Sequence, residues 1–182
     1  FNSKDLCMIE HIPELLEAGI DSLKVEGRMK TALYVAVVTR TYRRAIDDYR
    51  RDPKAYQANL PWYREEIASC THREFTTGFF FGKPDESSQI YGNSTYLKEF
   101  TYLGIIESID GKGLCRIEQR NKFSVGETIE IMKPNGENLE TRVLRIVNED
   151  GAEQESAPHA KQVLFVELDA PAQVYDLLRR KE

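Results

Sequence analysis

The sequence predicts an α+β protein: the helical remnant of a (β/α)-barrel-type catalytic domain, followed by a small antiparallel β-barrel. Three observations predict it. Up to about residue 75, apolar side chains recur at spacings of three and four around one stretch that alternates as a strand does. From Phe100 onward the period becomes two, in short runs separated by Gly-containing turns. Between these parts the chain is dense in Gly, Pro, Ser and Asn. The expected organisation is 1–75 as the end of the catalytic domain, 76–95 as a linker and 96–182 as the barrel.

Each element follows from local chemistry. Pro13 suits a first helical turn, where its missing N–H costs nothing, and opens Pro13–Ala18; Gly19 caps the end. Ile20–Arg28 then alternates as a short strand, with Leu23 and Val25 on one face and Lys24 and Glu26 on the other. A long helix is expected from Thr31 to Tyr49, striped by Leu33, Val38, Tyr42, Ala45, Ile46 and Tyr49 and ended by Pro53. A second is expected from Pro61 to about Cys70. One strand makes no sheet, so this order reads as the last unit or two of a barrel of about 250 residues, entered in mid-fold. Phe75, Phe79, Phe80, Phe81 and Tyr91 are expected to staple the linker onto a neighbouring surface. Barrel strands are expected at Phe100–Ile109, Leu114–Gln119, Thr128–Met132, Leu139–Val147 and Val163–Leu168, with a last short one near Val174. Asp110–Gly113 and Lys133–Gly136 are the hairpin turns.

The net charge of −5 is unevenly spread. Residues 1–80 carry 12 Lys and Arg against 12 Asp and Glu, whereas residues 81–182 carry 13 against 18. A module built to grip phosphate backbones has the opposite sign, which speaks against dedicated nucleic-acid binding and leaves room for a local basic patch. No apolar run nears the roughly 18 residues of a membrane helix, so no membrane partner is expected. Three scattered cysteines suit a reducing cytoplasm and form no disulfide framework. The start, Phe1–Asp5, lacks the basic and apolar regions of a signal peptide.

Lys24-x-Glu26-x-Arg28 is the leading candidate for an active-site wall. On a barrel strand Lys24 and Glu26 would share the inward face, with Arg28 just past the end, a cluster suited to holding a carboxylate or phosphate and positioning a general acid. The competing reading is a buried ion-pair network that closes the barrel. Asn2–Asp5 would lie on the same rim, so Asn2 and Lys4 join Arg28 as substrate-binding candidates; the alternative makes Ser3 or Asp5 a helix cap. Arg40, Arg43, Arg44, Arg50 and Arg51 could meet RNA, but Asp47 and Asp48 at i,i+4 favour a solvated helix face. Cys7 with His11, and Cys70 with His72, have metal-compatible spacings, yet two ligands are too few and no metal site is expected. His159 reads as a solvated loop residue. Val125-Gly126-Glu127 reads as a barrel corner where strands approach closely.

The blocks Asn2-Ser3-Lys4-Asp5-Leu6, Ile12-Pro13-Glu14-Leu15, Gly19 to Arg28, Tyr42-Arg43-Arg44-Ala45-Ile46-Asp47, Thr77-Gly78-Phe79 and Asn121 to Glu127 together resemble the collagenase-like peptidase family, peptidase family U thirty-two. Ser22-Leu23-Lys24-Val25-Glu26-Gly27-Arg28 is the specific block. The resemblance implies a (β/α)-barrel-type catalytic domain upstream, joined to a C-terminal β-barrel. It also implies two activities for the parent. One is the collagenase-like proteolysis that named the family; the other is hydroxylation of tRNA uridine or ribosomal RNA cytidine by members that carry an iron–sulfur cluster. The cluster's cysteines are implied to lie upstream, so Cys7, Cys70 and Cys115 are not its ligands and this chain carries no cofactor. The resulting expectation is the substrate-recognition part of a collagenase-like peptidase, catalytically incomplete alone. Its alternatives are the C-terminal part of an RNA hydroxylase and a protein-binding module. Expected partners are the upstream domain, a protein or RNA substrate, and a second copy of the fragment.

Overall fold

The computed structural model describes residues 2–91 and 98–182. The chain divides into two compact units, Phe1–Glu99 and Phe100–Glu182. In the first, β1 (Asn2–Ser3) and β2 (Asp5–Leu6) lead into three helices, α1 (Ile12–Glu17), α2 (Ala32–Arg51) and α3 (Pro53–Ala68). The chain then returns through β3 (Phe75–Thr76) and β4 (Gln89–Ile90). The segment expected to be a linker therefore pairs with the start of the chain: β3 lies parallel to β2, and β4 antiparallel to β1.

Local chemistry sets the helix boundaries. The Thr31 hydroxyl accepts from the Tyr34 N–H and opens α2. Asp52 does the same for Lys54 N–H at the start of α3. Pro53 sits in the first turn of α3, so it begins a helix as well as ending one, and the expected start at Pro61 is corrected. Pro61 lies inside α3 and forfeits one backbone bond, to the Gln57 carbonyl. Buried Tyr56, Tyr63 and Ile67 hold the helix against α2 regardless.

The buried face of α2 is Leu33, Val37, Val38, Thr41 and Ala45, one step round from the predicted stripe; Tyr42, Ile46 and Tyr49 are only half-buried. Two charged residues share the buried face. Arg40 pairs with Glu66 at 2.5 Å. Asp48 accepts from the Tyr63 hydroxyl at 2.6 Å, Asn59 Nδ2 at 2.9 Å and the Arg51 guanidinium at 2.6 Å. A solvated face is thus wrong for Arg40. Arg43 and Asp47 do pair in solvent, at 2.6 Å, as their spacing predicts.

The strand expected at Ile20–Arg28 does not form. The stretch from Asp21 to Gly27 is irregular, and Lys24, Val25 and Glu26 are exposed. Alternation specifies a strand only where neighbours supply backbone partners, and none of the described strands does so here. The aromatic staple also fails in part. Phe75 stacks on His72 at 4.3 Å and Phe81 touches His11 at 4.6 Å, but Phe79, Phe80, Phe81 and Tyr91 are all more than half exposed.

The second unit has seven strands: β5 (Phe100–Ile109), β6 (Cys115–Glu118), β7 (Thr128–Met132), β8 (Asn138–Asn148), β9 (Glu153–Gln154), β10 (Val163–Leu168) and β11 (Leu177–Lys181). Six close antiparallel into a barrel in the order β10-β6-β5-β11-β7-β8, with β8 meeting β10 again; β9 hangs on β8. The core holds Leu103, Ile106, Ile117, Phe123, Ile131, Ile146 and Leu164, all fully buried. Burying each such side chain is worth about 1.5–3 kcal/mol. Leu103 and Ile106 both face inward because the register of β5 shifts against β6 and β11, and a bulge resets which residues point in. Gly104 sits where the strands come closest: a Cβ there would lie 3.0 Å from the Glu118 carbonyl oxygen. Gly126, by contrast, is required by its φ of +85°, and a Cβ there would meet Arg142 only at 3.6 Å, so the close approach expected there is at Gly104 instead.

Candidate functional site

A groove of about 1020 Å³ runs along α2 in the first unit. Its inner wall is a ladder of every fourth residue on the helix: Tyr34, Val38, Tyr42, Ile46 and Arg50. Its outer wall is the irregular stretch Ser22–Lys30. Two contacts stretch that segment along the helix. Near the C-terminal end of α2 the Tyr49 hydroxyl donates to Glu17 at 2.6 Å. Near the N-terminal end, Lys30 Nζ donates to the Thr71 carbonyl at 2.9 Å and lies 5.1 Å from the centre of the Tyr34 ring. Gly27 lets the segment approach closely, since a Cβ there would come within 3.1 Å of the Tyr34 ring.

The groove is cationic in an acidic chain. Its walls carry six Lys or Arg against three Asp or Glu, while the whole chain is −5. Arg73 is neutralised by Asp5, which accepts from its Nε at 3.1 Å and its backbone N–H at 3.0 Å. Lys24 and Glu26 stand 4.0 Å apart with side chains 87% and 70% exposed, a contact that solvent screens almost completely. This is no buried ion-pair network. Arg28 and Arg50 have no side-chain partner among the described residues, and they mark the two ends of the groove. The structure thus brings Lys24, Glu26 and Arg28 to one wall. Lys4 lines a second, smaller depression of about 640 Å³ and pairs with Glu74 at 2.9 Å, and Asn2 lines neither.

Cys7 lies in the groove and accepts a long hydrogen bond from the Tyr42 hydroxyl, at 3.8 Å; that oxygen in turn accepts from Met8 N–H at 2.8 Å. Burial pushes the Cys7 thiol up, and burial together with the neighbouring thiol pushes the Tyr42 phenol up strongly. Both are held protonated at neutral pH, so Cys7 is a hydrogen-bonding wall residue and no nucleophile. His11 pairs with Glu14, Cys70 donates to the Ile67 carbonyl, and the His72 ring contacts the Arg73 carbonyl. Among the described residues no three His, Cys, Asp or Glu side chains gather in metal-binding geometry. The donor set of these residues therefore does not fit an iron–sulfur cluster.

Peptidase family U32 matches residues 1–90, which contain the whole groove, and the Peptidase family U32 C-terminal domain matches residues 98–179, the barrel. The chain belongs to peptidase family U32. Among its U32 relatives, tRNA hydroxylation protein P1 of Bacillus subtilis is 36% identical over 97% of this chain and 42% of its own length. An uncharacterized protease of Methanocaldococcus jannaschii is 35% identical over 71% of this chain and 32% of its own length. The tRNA hydroxylation protein P of Escherichia coli is 33% identical over 86% of this chain and 34% of its own length. The chain thus spans well under half the length of the curated relatives it matches.

Sequence reasoning missed Tyr34 and treated Tyr42 and Ile46 as core, while Val38 is buried as expected and also lines the groove. Their spacing was visible. What it left open was whether that stripe packs on protein or faces a groove. No helix among the described residues is long and apolar enough to cross a membrane.

Proposed function

We propose that this chain is the substrate-holding C-terminal part of a cytoplasmic enzyme that hydroxylates tRNA, with the reacting centre supplied by the rest of the parent protein. The observation that carries the reading is the cationic groove: two unpaired arginines and an exposed Lys24 line a cleft in a chain of net charge −5. A polyanion is the ligand such a local reversal of sign favours. The relatives matched over the greatest share of the chain point the same way, being tRNA hydroxylation proteins. In this reading Arg28 and Arg50 take phosphates, with planar donors suited to them. Lys24 adds a mobile positive charge, and the Tyr34–Tyr42 wall sets the depth to which the strand enters.

The test is made in cells lacking the parent gene. Restoring the wild-type parent should restore hydroxylated uridine in tRNA, measured by nucleoside mass spectrometry. A parent carrying Arg28→Ala and Arg50→Ala should restore less than a tenth as much. Equal restoration by both would remove the groove from substrate binding. A parent that left tRNA unchanged while cleaving protein would replace the reading with the peptidase one.

A further inference from the structure

The cationic groove adjoins the smaller depression, since Leu6 and Phe80 line both. That depression carries Lys83, Asp85 and Lys4, the last paired with Glu74. At the junction the chain displays aromatic rings. Phe79 is 80% exposed and Phe80 54% exposed. Leaving two phenylalanine rings wet is costly, and the backbone here is shaped to do so. Two overlapping turns, Phe80 N–H to the Thr77 carbonyl and Gly82 N–H to the Phe79 carbonyl, fix the loop. Glycines flank it at φ of +58° (Gly78) and +134° (Gly82), conformations that L side chains rarely adopt. The Gly78 N–H is held by the Thr76 hydroxyl at 3.1 Å. Phe81, the third ring of the run, is 61% exposed and touches the His11 ring at 4.6 Å. Lys83 has no ion-pair partner among the described residues.

From these features, and resting on the RNA reading above, we infer that Phe79 and Phe80 form a stacking shelf for the bases of an unpaired RNA strand whose phosphates run into the cationic groove. A basic track joined to exposed aromatic faces is the arrangement that holds single strands, because every base offers a flat face while the track follows the backbone. A duplex keeps its bases stacked on one another and offers the shelf nothing. The substrate region presented to this chain is therefore a loop or an opened stem.

The test uses the 182-residue chain and two fluorescent probes: a 12-nucleotide oligouridine, and an RNA duplex of the same length. The wild-type chain should bind the single strand at least tenfold more tightly than the duplex. Phe79→Ala with Phe80→Ala, both at exposed positions, should lose at least tenfold for the single strand, with unchanged far-ultraviolet circular dichroism. Lys83→Ala should lower the slope of log affinity against log salt by about 0.7, the value for one phosphate contact on a single strand. Photo-crosslinking with 4-thiouridine in the probe should place adducts at Phe79 or Phe80. If the double variant binds the single strand as the wild type does, or if adducts fall only elsewhere, the shelf is overturned while the RNA reading stands. If the wild-type chain binds neither probe, both are overturned.

Discussion

Arg40 and Arg43 are three positions apart on one helix and make ion pairs of similar length, yet their worth should differ severalfold. The Arg40–Glu66 side chains are each 5% exposed, whereas those of Arg43 and Asp47 are more than half exposed. Arg40→Ala strips a buried carboxylate of its charged partner and should cost about 3–5 kcal/mol in urea unfolding. Arg43→Ala should cost less than about 1 kcal/mol. Asp48 adds a pH signature. Burial opposes its ionisation, but hydrogen bonds from Tyr63 and Asn59, with Arg51 and Arg44 nearby, hold its carboxyl below the ordinary range. The unfolded chain therefore takes up that proton first as pH falls. Asp48's contribution is complete above about pH 4 and disappears as pH drops through the folded value. Asp48→Asn should lower stability at pH 7 and flatten the loss of stability on acidification, measured as urea midpoints across that range. The i,i+4 pairs were legible in the sequence because they are local. Arg40 with Glu66, 26 residues apart, was not, since only the packing of α2 on α3 brings them together.

Elements were legible where the chain carries its own punctuation. Hairpin turns appear as predicted: the Asp110 carboxylate accepts from the Lys112 and Leu114 N–H groups, and Gly113 and Gly136 take positive φ. Two elements were misread for a common reason, namely that side-chain pattern and ladder partners are separate requirements. Ser22–Arg28 has the alternation and lacks the partners. Leu177–Lys181 has the partners, β5 and β7, and lacks a clean alternation, so the last strand was expected near Val174 instead. Its Arg179 is almost fully buried, paired with Glu130 at 2.5 Å and lying 4.2 Å from the centre of the Phe100 ring. The strand expected near Val174 is therefore displaced to 177. Amide exchange should show Ser22–Arg28 exchanging much faster than the middle of α2, and comparable protection would mean that the segment has found a ladder. Gly104→Ala should force β5 and β6 apart and lower stability by about 1–3 kcal/mol, read as a lower thermal midpoint.

At the scale of the whole molecule, the two units differ in how completely they bury themselves. The barrel closes its ring and packs one contiguous core. The first unit leaves Leu6, Met29, Val35, Phe79, Phe80 and Phe81 exposed and has a parallel ladder of only two residues per strand, and parallel sheets are ordinarily covered on both faces. Residues 98–182 alone should therefore unfold in one cooperative step, with coincident near- and far-ultraviolet transitions; separate transitions would show that the ring needs support. Closure also has a consequence in time. β5 is the first barrel strand to be made, and its partner β11 is the last. Until Lys181 has been synthesised, β5 and β7 present bare edges to the cell, and such edges recruit foreign strands. Translation thus opens a window of vulnerability that lasts for the whole of the domain. A stop codon a few residues early would leave it open permanently.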